Sequence, residues 1–315
     1  MISIYYSKNE HIEIANDLAL IDGIEKSKII WVDMLDCNDS EILKVETLLE
    51  IKAFNRQDFI EIEESARFIE FENYLMCNSN FIVKEKLAFI SKIVNFFIGK
   101  NFLVTYRNYN SKSFSETSKK LLSHGSKMRN SEIFLNIIDL KISSVADYVE
   151  DIAQEISKLS KEIVTNKHTS KLLILKLSQY REYLIMLMQN CIEKKLLISF
   201  VKKASFLNNK TESELDISVK DLESVIDYIK FNFERLDFID STMNNLIIFE
   251  QNNSIRLFTI VSIFFMPPML IASIYGMNFK IIPELGWANG YYYSLAFMLL
   301  TVIVTFIYFK IKKWL

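Results

Sequence analysis

A chain of 315 residues with 37 basic and 39 acidic side chains carries a net charge of −2, which leaves a nucleic-acid-binding role without the cationic face it needs. The length is enough for a soluble domain plus a membrane part. Cys37, Cys77 and Cys191 are scattered without metal-ligand spacing, so buried free thiols are expected and nothing points to an oxidising compartment.

The N-terminus, MISIYYSKNEHIEI, has no basic segment followed by an apolar core. A secretory signal is therefore not expected, and the large N-terminal part is expected to stay in the cytoplasm. Residues 1 to about 110 read as mixed α and β. Met1–Tyr6 and Lys28–Met34 are short, β-branched apolar runs, and Asp58–Glu64, Arg67–Leu75, Phe81–Lys84 and Phe102–Arg107 are further strand candidates. Ser40–Phe54 and Glu85–Phe97 have helical spacing. No Gly-rich phosphate loop follows any of these strands, so a nucleotide site has no support.

From about Ser115 the periodicity turns helical and stays so. Ser115–Leu122 predicts a short helix broken near Gly125. Ser131–Ile163 and Thr169–Phe206 predict a long hairpin interrupted at Thr165–His168 and ended by the loop Leu207–Lys210. Lys194-Lys195 and Lys202-Lys203 read as solvated faces. Thr211-Glu-Ser-Glu214 has the form of a capping box. Leu215, Val219, Leu222, Ile226, Ile229, Phe233 and Leu236 then step by four and three, a heptad seam. Asp240 interrupts it, and Met243 and Ile247 resume it. No proline or glycine lies between Thr211 and Met266, which predicts one helix to about Ile274, roughly 95 Å at about 1.5 Å per residue. Such a seam serves either the neighbouring hairpin or other helices, and periodicity does not separate the two.

Leu257–Ile274 carries no charge and is mostly Leu, Ile, Phe, Val and Met, nearly enough at about 1.5 Å per residue to cross about 30 Å of hydrocarbon. A second uncharged run, Tyr291–Phe309, opens on three tyrosines and closes on Lys310, with Lys312, Lys313 and Trp314 beyond, the usual interfacial anchors. Two membrane spans follow. Pro267-Pro268 would cost several kcal/mol in a soluble helix, whereas membrane neighbours can absorb the defect. Gly276 ends the first span, and Pro283–Gly290 reads as a short irregular loop. The terminal lysines agree with a cytoplasmic C-terminus, leaving only Met277–Gly290 outside. Hydropathy alone is equally satisfied by a two-span anchor.

Tyr275-Gly276-Met277-Asn278 directly follows the first span, and Pro283-Glu284-Leu285 comes five residues later. With Met266-Pro267 and the lysine-rich tail Lys310–Leu315, this resembles the CorA family of divalent-cation channels, most tightly over Asn252–Leu315. The resemblance implies an α+β cytoplasmic domain, a long stalk helix and two transmembrane helices, assembled as a funnel-shaped homopentamer in the lipid of the cell inner membrane with both termini cytoplasmic. On that reading residues 1–125 are the α/β part, 126–210 a helical hairpin, 211–256 the stalk, 257–276 the pore-lining span, 277–290 the external loop, 291–309 the second span and 310–315 a basic tail. It implies passive entry of Mg2+, gated by cytoplasmic Mg2+ bound to carboxylates between subunits.

Continuing the three-four stepping into the span picks out Asn252, Ile255, Thr259, Ser262, Met266, Met269 and Ser273 as a pore face. No carboxylate lies in either span. Magnesium sheds water reluctantly, so neutral oxygens that hydrogen-bond its hydration shell suit it, and conduction needs sites that release the ion. Asn278 is expected as the entrance ring, Gly276 as close backbone approach and Met277 as packing. The competing reading of Asn278 is a left-handed helix cap. Tyr275 is expected as an interhelix anchor. Glu284 is either a carboxylate that concentrates cations at the mouth or an ordinary exposed acid. Met266 and Ile255 could form an apolar neck that gates by dewetting, while Phe258 reads as helix packing. Resembling channels often have Thr or Ser three residues after the Met; here Met269 stands there, and Ser273 is the alternative inner polar ring. Asp216, Asp221 and Asp227 are the candidate regulatory metal ligands. Co2+ or Ni2+ on the same architecture is the close alternative. Zinc is disfavoured by the intact Gly-Met-Asn and by spans without His or Cys. A membrane-anchored coiled-coil scaffold is the alternative of another class. An enzyme is the weakest option, since His11, His124 and His168 have no nucleophile or metal partner at motif spacing.

Overall fold

The computed structural model describes residues 1–9, 11–16, 23–52, 68–85, 88–124, 128–165, 171–203, 209–278, 280 and 282–312. They form two units, Met1–Ile239 and Asp240–Leu315. The expected strand Asp58–Glu64, the break at Gly125, most of the Thr165–His168 connection, His168, Lys313 and Trp314 lie outside the described residues.

The first unit carries β1 (Ile2–Lys8), β2 (His11–Ala15), β3 (Ile29–Leu35), α1 (Asp39–Leu49), β4 (Phe68–Glu70), β5 (Tyr74–Glu85), β6 (Ala88–Gly99), β7 (Leu103–Arg107), α2 (Lys112–His124), α3 (Asn130–Thr165), α4 (Lys171–Lys202) and the first part of α5 (Asn209–Tyr275). The described strands make one sheet in the order β2-β1-β3-β7-β6-β5-β4. Only the pairing of β3 with β7 is parallel among them, Trp31 facing Leu103 and Leu35 facing Arg107. One sheet face packs Ile4, Val32, Met34, Phe97 and Val104 against Val45 and Leu49 of α1. That helix opens with a full capping box between Asn38 and Glu41. On the other face Phe96 meets Phe134 edge-on at 5.2 Å, and Phe81 lies 6.3 Å from Phe114. There the buried Arg107 donates to both oxygens of Asp33, and Thr105, itself bonded by Trp31, donates to one of them.

Several expectations are corrected. The described residues of Glu85–Phe97 are not helical: from Ala88 they form a strand, paired residue for residue with β5 from Glu85↔Ala88 to Tyr74↔Gly99. Towards the hairpin base both its faces are covered, so Val94, Phe96, Phe97 and Ile98 are all buried. A strand buried on both faces loses the polar alternation that distinguishes it from a helix. The Phe81–Lys84 candidate is the end of the longer β5. The missed β2 is a five-residue edge strand with two exposed polar positions, His11 and Glu13, and so had no apolar run to betray it.

Thr211 is no helix cap. The helix starts at Asn209, so the described part of the expected Leu207–Lys210 loop is already helical, and Thr211 lies inside it, buried, with its hydroxyl 3.3 Å from that of Ser131. The seam belongs partly to the chain itself. Leu215, Leu222, Ile229, Leu236 and Ile239 are buried together with Ser218 and Asn232, while Val219, Ile226 and Phe233 are only half-buried. Ser218 bonds Asp139, and Arg235 bonds Ser157, so α3 is one neighbour of this face. Lys194 is no solvated lysine either. It is 0% exposed and donates to the Asn80 carbonyl and the Asn190 side chain. Lys195 and Lys202 do face outward, paired with Glu223 and Asp216.

In the second unit α5 continues through Pro267 and Pro268 to Tyr275, and α6 (Gly290–Ile311) follows. Both helices contain segments long and apolar enough to cross a membrane. A short 3-10 turn, Pro283–Gly286, forms within the expected irregular connection.

Candidate functional site

The membrane part of α5 has two unlike faces. Ile260, Ile263, Phe264, Pro267, Pro268 and Tyr275 are half-buried and Ile271 is buried. The Phe264 ring lies tilted against Phe306 at 6.4 Å and against Phe309 at 5.8 Å, so α6 covers this side. Asn252, Ile255, Thr259, Ser262, Met266, Met269 and Ser273 are all exposed. At about 100° per residue the two sets point roughly 150° apart. The remaining exposed positions of the span include Phe258, Val261, Phe265 and Ile274, all apolar. Thr259, Ser262 and Ser273 are the hydroxyls between Leu257 and Ile274, and all three fall on the arc away from α6. Thr259 donates to the Ile255 carbonyl one turn earlier at 2.9 Å.

Two prolines remove two backbone N–H groups, so the carbonyls of Ile263 and Phe264, four residues earlier, lose their helical donors. Both are on the α6 side, away from the polar stripe. The helix then ends by tightening: Gly276 N–H still reaches the Ala272 carbonyl at 2.9 Å, while Met277 N–H reaches only Ile274 at 3.2 Å. A Cβ on Gly276 would stand 3.2 Å from the Ala272 oxygen, so the glycine gives this last turn its room. Asn278 is exposed and lies just past the helix. Among the described residues only Asn9, Asp36 and Glu50 have a positive φ outside glycine, so Asn278 is not a left-handed cap. Glu284 is half-buried within the Pro283–Gly286 turn.

The three candidate regulatory acids part company in the first unit. Asp216 is paired with Lys202 at 2.5 Å and Asp227 with Lys230 at 2.9 Å. Asp221 instead lines an open cavity of about 510 Å³ with Glu132, Asp139, Glu214 and Lys120. Burial, together with the charges of Asp221 and Glu214, pushes the Asp139 carboxyl above the usual carboxylate range, although Ser218 donates to it at 2.5 Å. Asp139 was not singled out from sequence: a lone acid among the apolar positions of α3 carries no motif, and only its placement opposite α5 reveals it.

Residues 26–313 match the family model described as CorA-like Mg2+ transporter protein. The magnesium transport protein CorA of Wolinella succinogenes is 30% identical over 295 residues, 92% of each chain. That of Salmonella typhimurium is 30% identical over 317 residues, 96% of each chain. Among solved structures, the complete CorA magnesium transporter of Methanocaldococcus jannaschii superposes with a TM-score of 0.84 at 17% identity, covering 100% of this chain and 99% of that one. The full-length CmaX protein superposes with a TM-score of 0.70 at 13% identity, covering 100% and 98%. At these identities the two structures speak for the fold alone.

Proposed function

The chain belongs to the CorA-like Mg2+ transporter family, and from that premise we propose that it is a magnesium channel of the cell inner membrane, acting as a homopentamer with both termini in the cytoplasm. Residues 1–125 and 126–210 form its cytoplasmic body, 211–256 its stalk, 257–276 and 291–309 its spans, 277–290 its external loop and 310–315 its tail. The observation that carries the reading is the stripe Asn252, Ile255, Thr259, Ser262, Met266, Met269 and Ser273, turned away from α6 and holding every serine and threonine of the first span. Two helices per chain enclose nothing, so the stripe needs copies of itself around it. Ile217, Phe231 and Phe238 recur on α5 at seven- or fourteen-residue steps and stay 57%, 53% and 71% exposed in the single chain, which supports helix-to-helix association of the stalk.

Hydrated Mg2+ enters past Glu284, whose carboxylates raise the cation concentration at the mouth. The Asn278 amides then hydrogen-bond the ion's own waters, with Gly276 allowing close approach and Met277 packing the ring. With no carboxylate in the spans, the ion is held weakly enough to leave. Met266, with Ile255, makes the apolar neck, and Ser273 or Met269 stands at the inner ring position. Entry runs down the inside-negative potential, about 2.3 kcal/mol per charge per 100 mV. Cytoplasmic Mg2+ closes the channel. Of the three sequence candidates, Asp221 has other carboxylates around it, while Asp216 and Asp227 already hold lysines.

The test is Mg2+ uptake into proteoliposomes, wild type against Asn278→Ala, with Co2+ and Ni2+ as competitors. The proposal expects robust uptake that falls at least about tenfold in the variant, the scale of losing one well-placed polar contact. Stronger block by Co2+ or Ni2+ than by excess Mg2+ would move the ion preference. No uptake from an assembled protein would leave the scaffold reading.

A further inference from the structure

Two glycines sit in the external connection, and their surroundings differ. A Cβ on Gly286 would meet nothing within 4 Å. A Cβ on Gly290 would stand 2.4 Å from the carbonyl oxygen of Glu284 and 3.6 Å from Cβ of Trp287. Neither glycine has a left-handed backbone, so at both the question is space. The contact at Gly290 is with main chain, which cannot swing aside as a long side chain does. The same carbonyl accepts from Trp287 N–H at 3.3 Å, and Gly290 N–H donates to the Trp287 carbonyl at 3.1 Å. Leu285 N–H closes the turn on Ile282 at 3.2 Å. Trp287 lies edge-on to Tyr293, one turn into α6, at 6.5 Å. The Pro283–Gly286 turn is therefore seated on the first turn of α6, and its contact point is Glu284 itself.

We infer that Gly290 is a positioning residue for ion entry: by letting the Glu284 main chain rest on the start of α6, it fixes where the Glu284 carboxylate is presented. The inference rests on the reading of Glu284 as the group that concentrates cations at the mouth. A methyl at position 290 requires the Glu284 carbonyl to retreat by about 1 Å to reach ordinary contact of about 3.5 Å. The turn is too short to absorb that shift without carrying the Glu284 side chain with it. Gly286, four residues away in the same connection, has no such role.

Mg2+ uptake in proteoliposomes at low ionic strength separates these statements, with rates taken per assembled protein. Glu284→Gln is expected to raise the half-saturating Mg2+ concentration about tenfold, the lower end of what a charged mouth achieves, with the maximal rate kept. Gly290→Ala should raise it by a similar factor, the double variant Gly290→Ala/Glu284→Gln should go no further, and Gly286→Ala should match wild type. Added salt should erase the differences. Wild-type half-saturation in Gly290→Ala, alongside an impaired Glu284→Gln, overturns the role of Gly290 and leaves that of Glu284 standing. An additive double variant overturns it as well. A silent Glu284→Gln overturns the reading beneath. If Gly290→Ala does not assemble, Glu284→Asp draws the carboxylate back by one methylene without touching Gly290. An intermediate rise upholds the dependence on placement, and wild-type behaviour overturns it.

Discussion

Replacing Arg107 by methionine keeps the volume near that of the original stem and removes the guanidinium that neutralises Asp33. Both side chains are almost sealed from water, 5% and 9% exposed. Arg107 Nε donates to Oδ1 at 3.1 Å and Nη2 to Oδ2 at 2.6 Å, a bidentate pair, and the guanidinium lies 4.3 Å over the Phe114 ring. Thr105 still donates to Asp33 in the variant, at 2.8 Å, but one hydroxyl does not solvate a buried carboxylate. Breaking one side of such a pair costs about 3–5 kcal/mol. For a unit of this size about 1 kcal/mol corresponds to about 2–4 °C, so Arg107→Met should lower the melting temperature of the detergent-solubilised protein by about 10 °C. The double variant Arg107→Met/Asp33→Leu removes the stranded charge and should recover at least half of the loss. Circular dichroism melts of the three proteins decide it. A single variant melting within about 2 °C of wild type, or a double variant worse than the single, would refute the electrostatic account of this core.

Other consequences follow from buried charge. Lys194 and Lys141 lie 5.0 and 5.3 Å over the Phe81 ring, and burial lowers them to about 7 and about 8. Around Lys194 stand the Asn80 carbonyl, Asn190, Cys191, Glu193 and Lys141. The unfolded chain, with lysines near 10.4, binds more protons just above those values, so stability should rise as pH increases from about 7 to about 8.5; above that, Cys37, Cys77 and Cys191, whose thiols burial pushes up, oppose the lysines. Melts across that range should show the rise, and Lys194→Met should flatten it; an unchanged slope would count against these lysines as its source. Asp221→Asn with Asp139→Asn should leave currents less inhibited by internal Mg2+, whereas Asp216→Asn and Asp227→Asn should not, as patch recordings at stepped internal Mg2+ would tell. Equal inhibition in all three variants would remove the cavity from the gating mechanism.

The membrane hairpin was legible because a span is a matter of length and charge, and Leu257–Ile274 and Tyr291–Phe309 declare both. The exposed stripe away from α6 was legible because one helical period carries from residues 211–256 into the apolar segment. What could not be read depended on partners distant in sequence. The seam of α5 is met within the chain at Ser218 and Asn232 rather than at Val219 and Phe233: Ser218 donates across to Asp139, while Asn232 donates to the Tyr228 carbonyl of its own helix and accepts from Arg235. Lys194 looked solvated beside Lys195, yet it faces a carbonyl of β5 that no local pattern announces. The β6 strand hid its period by being covered on both sides. The seat of Glu284 on Gly290 joins a carboxylate that sequence singles out to a glycine that sequence shows only as loop punctuation.

Cysteine accessibility along the first span tests the central claim most directly, and the three native cysteines are buried, so background labelling is low. Thr259→Cys, Ser262→Cys and Ser273→Cys should react with a charged, water-soluble thiol reagent in the membrane-embedded protein, and their modification should block Mg2+ uptake. Phe264→Cys and Ile271→Cys, on the side covered by α6, should resist. Labelling that favours the α6 side, or modification of all three hydroxyl positions with uptake unchanged, would contradict a water-filled path along this face.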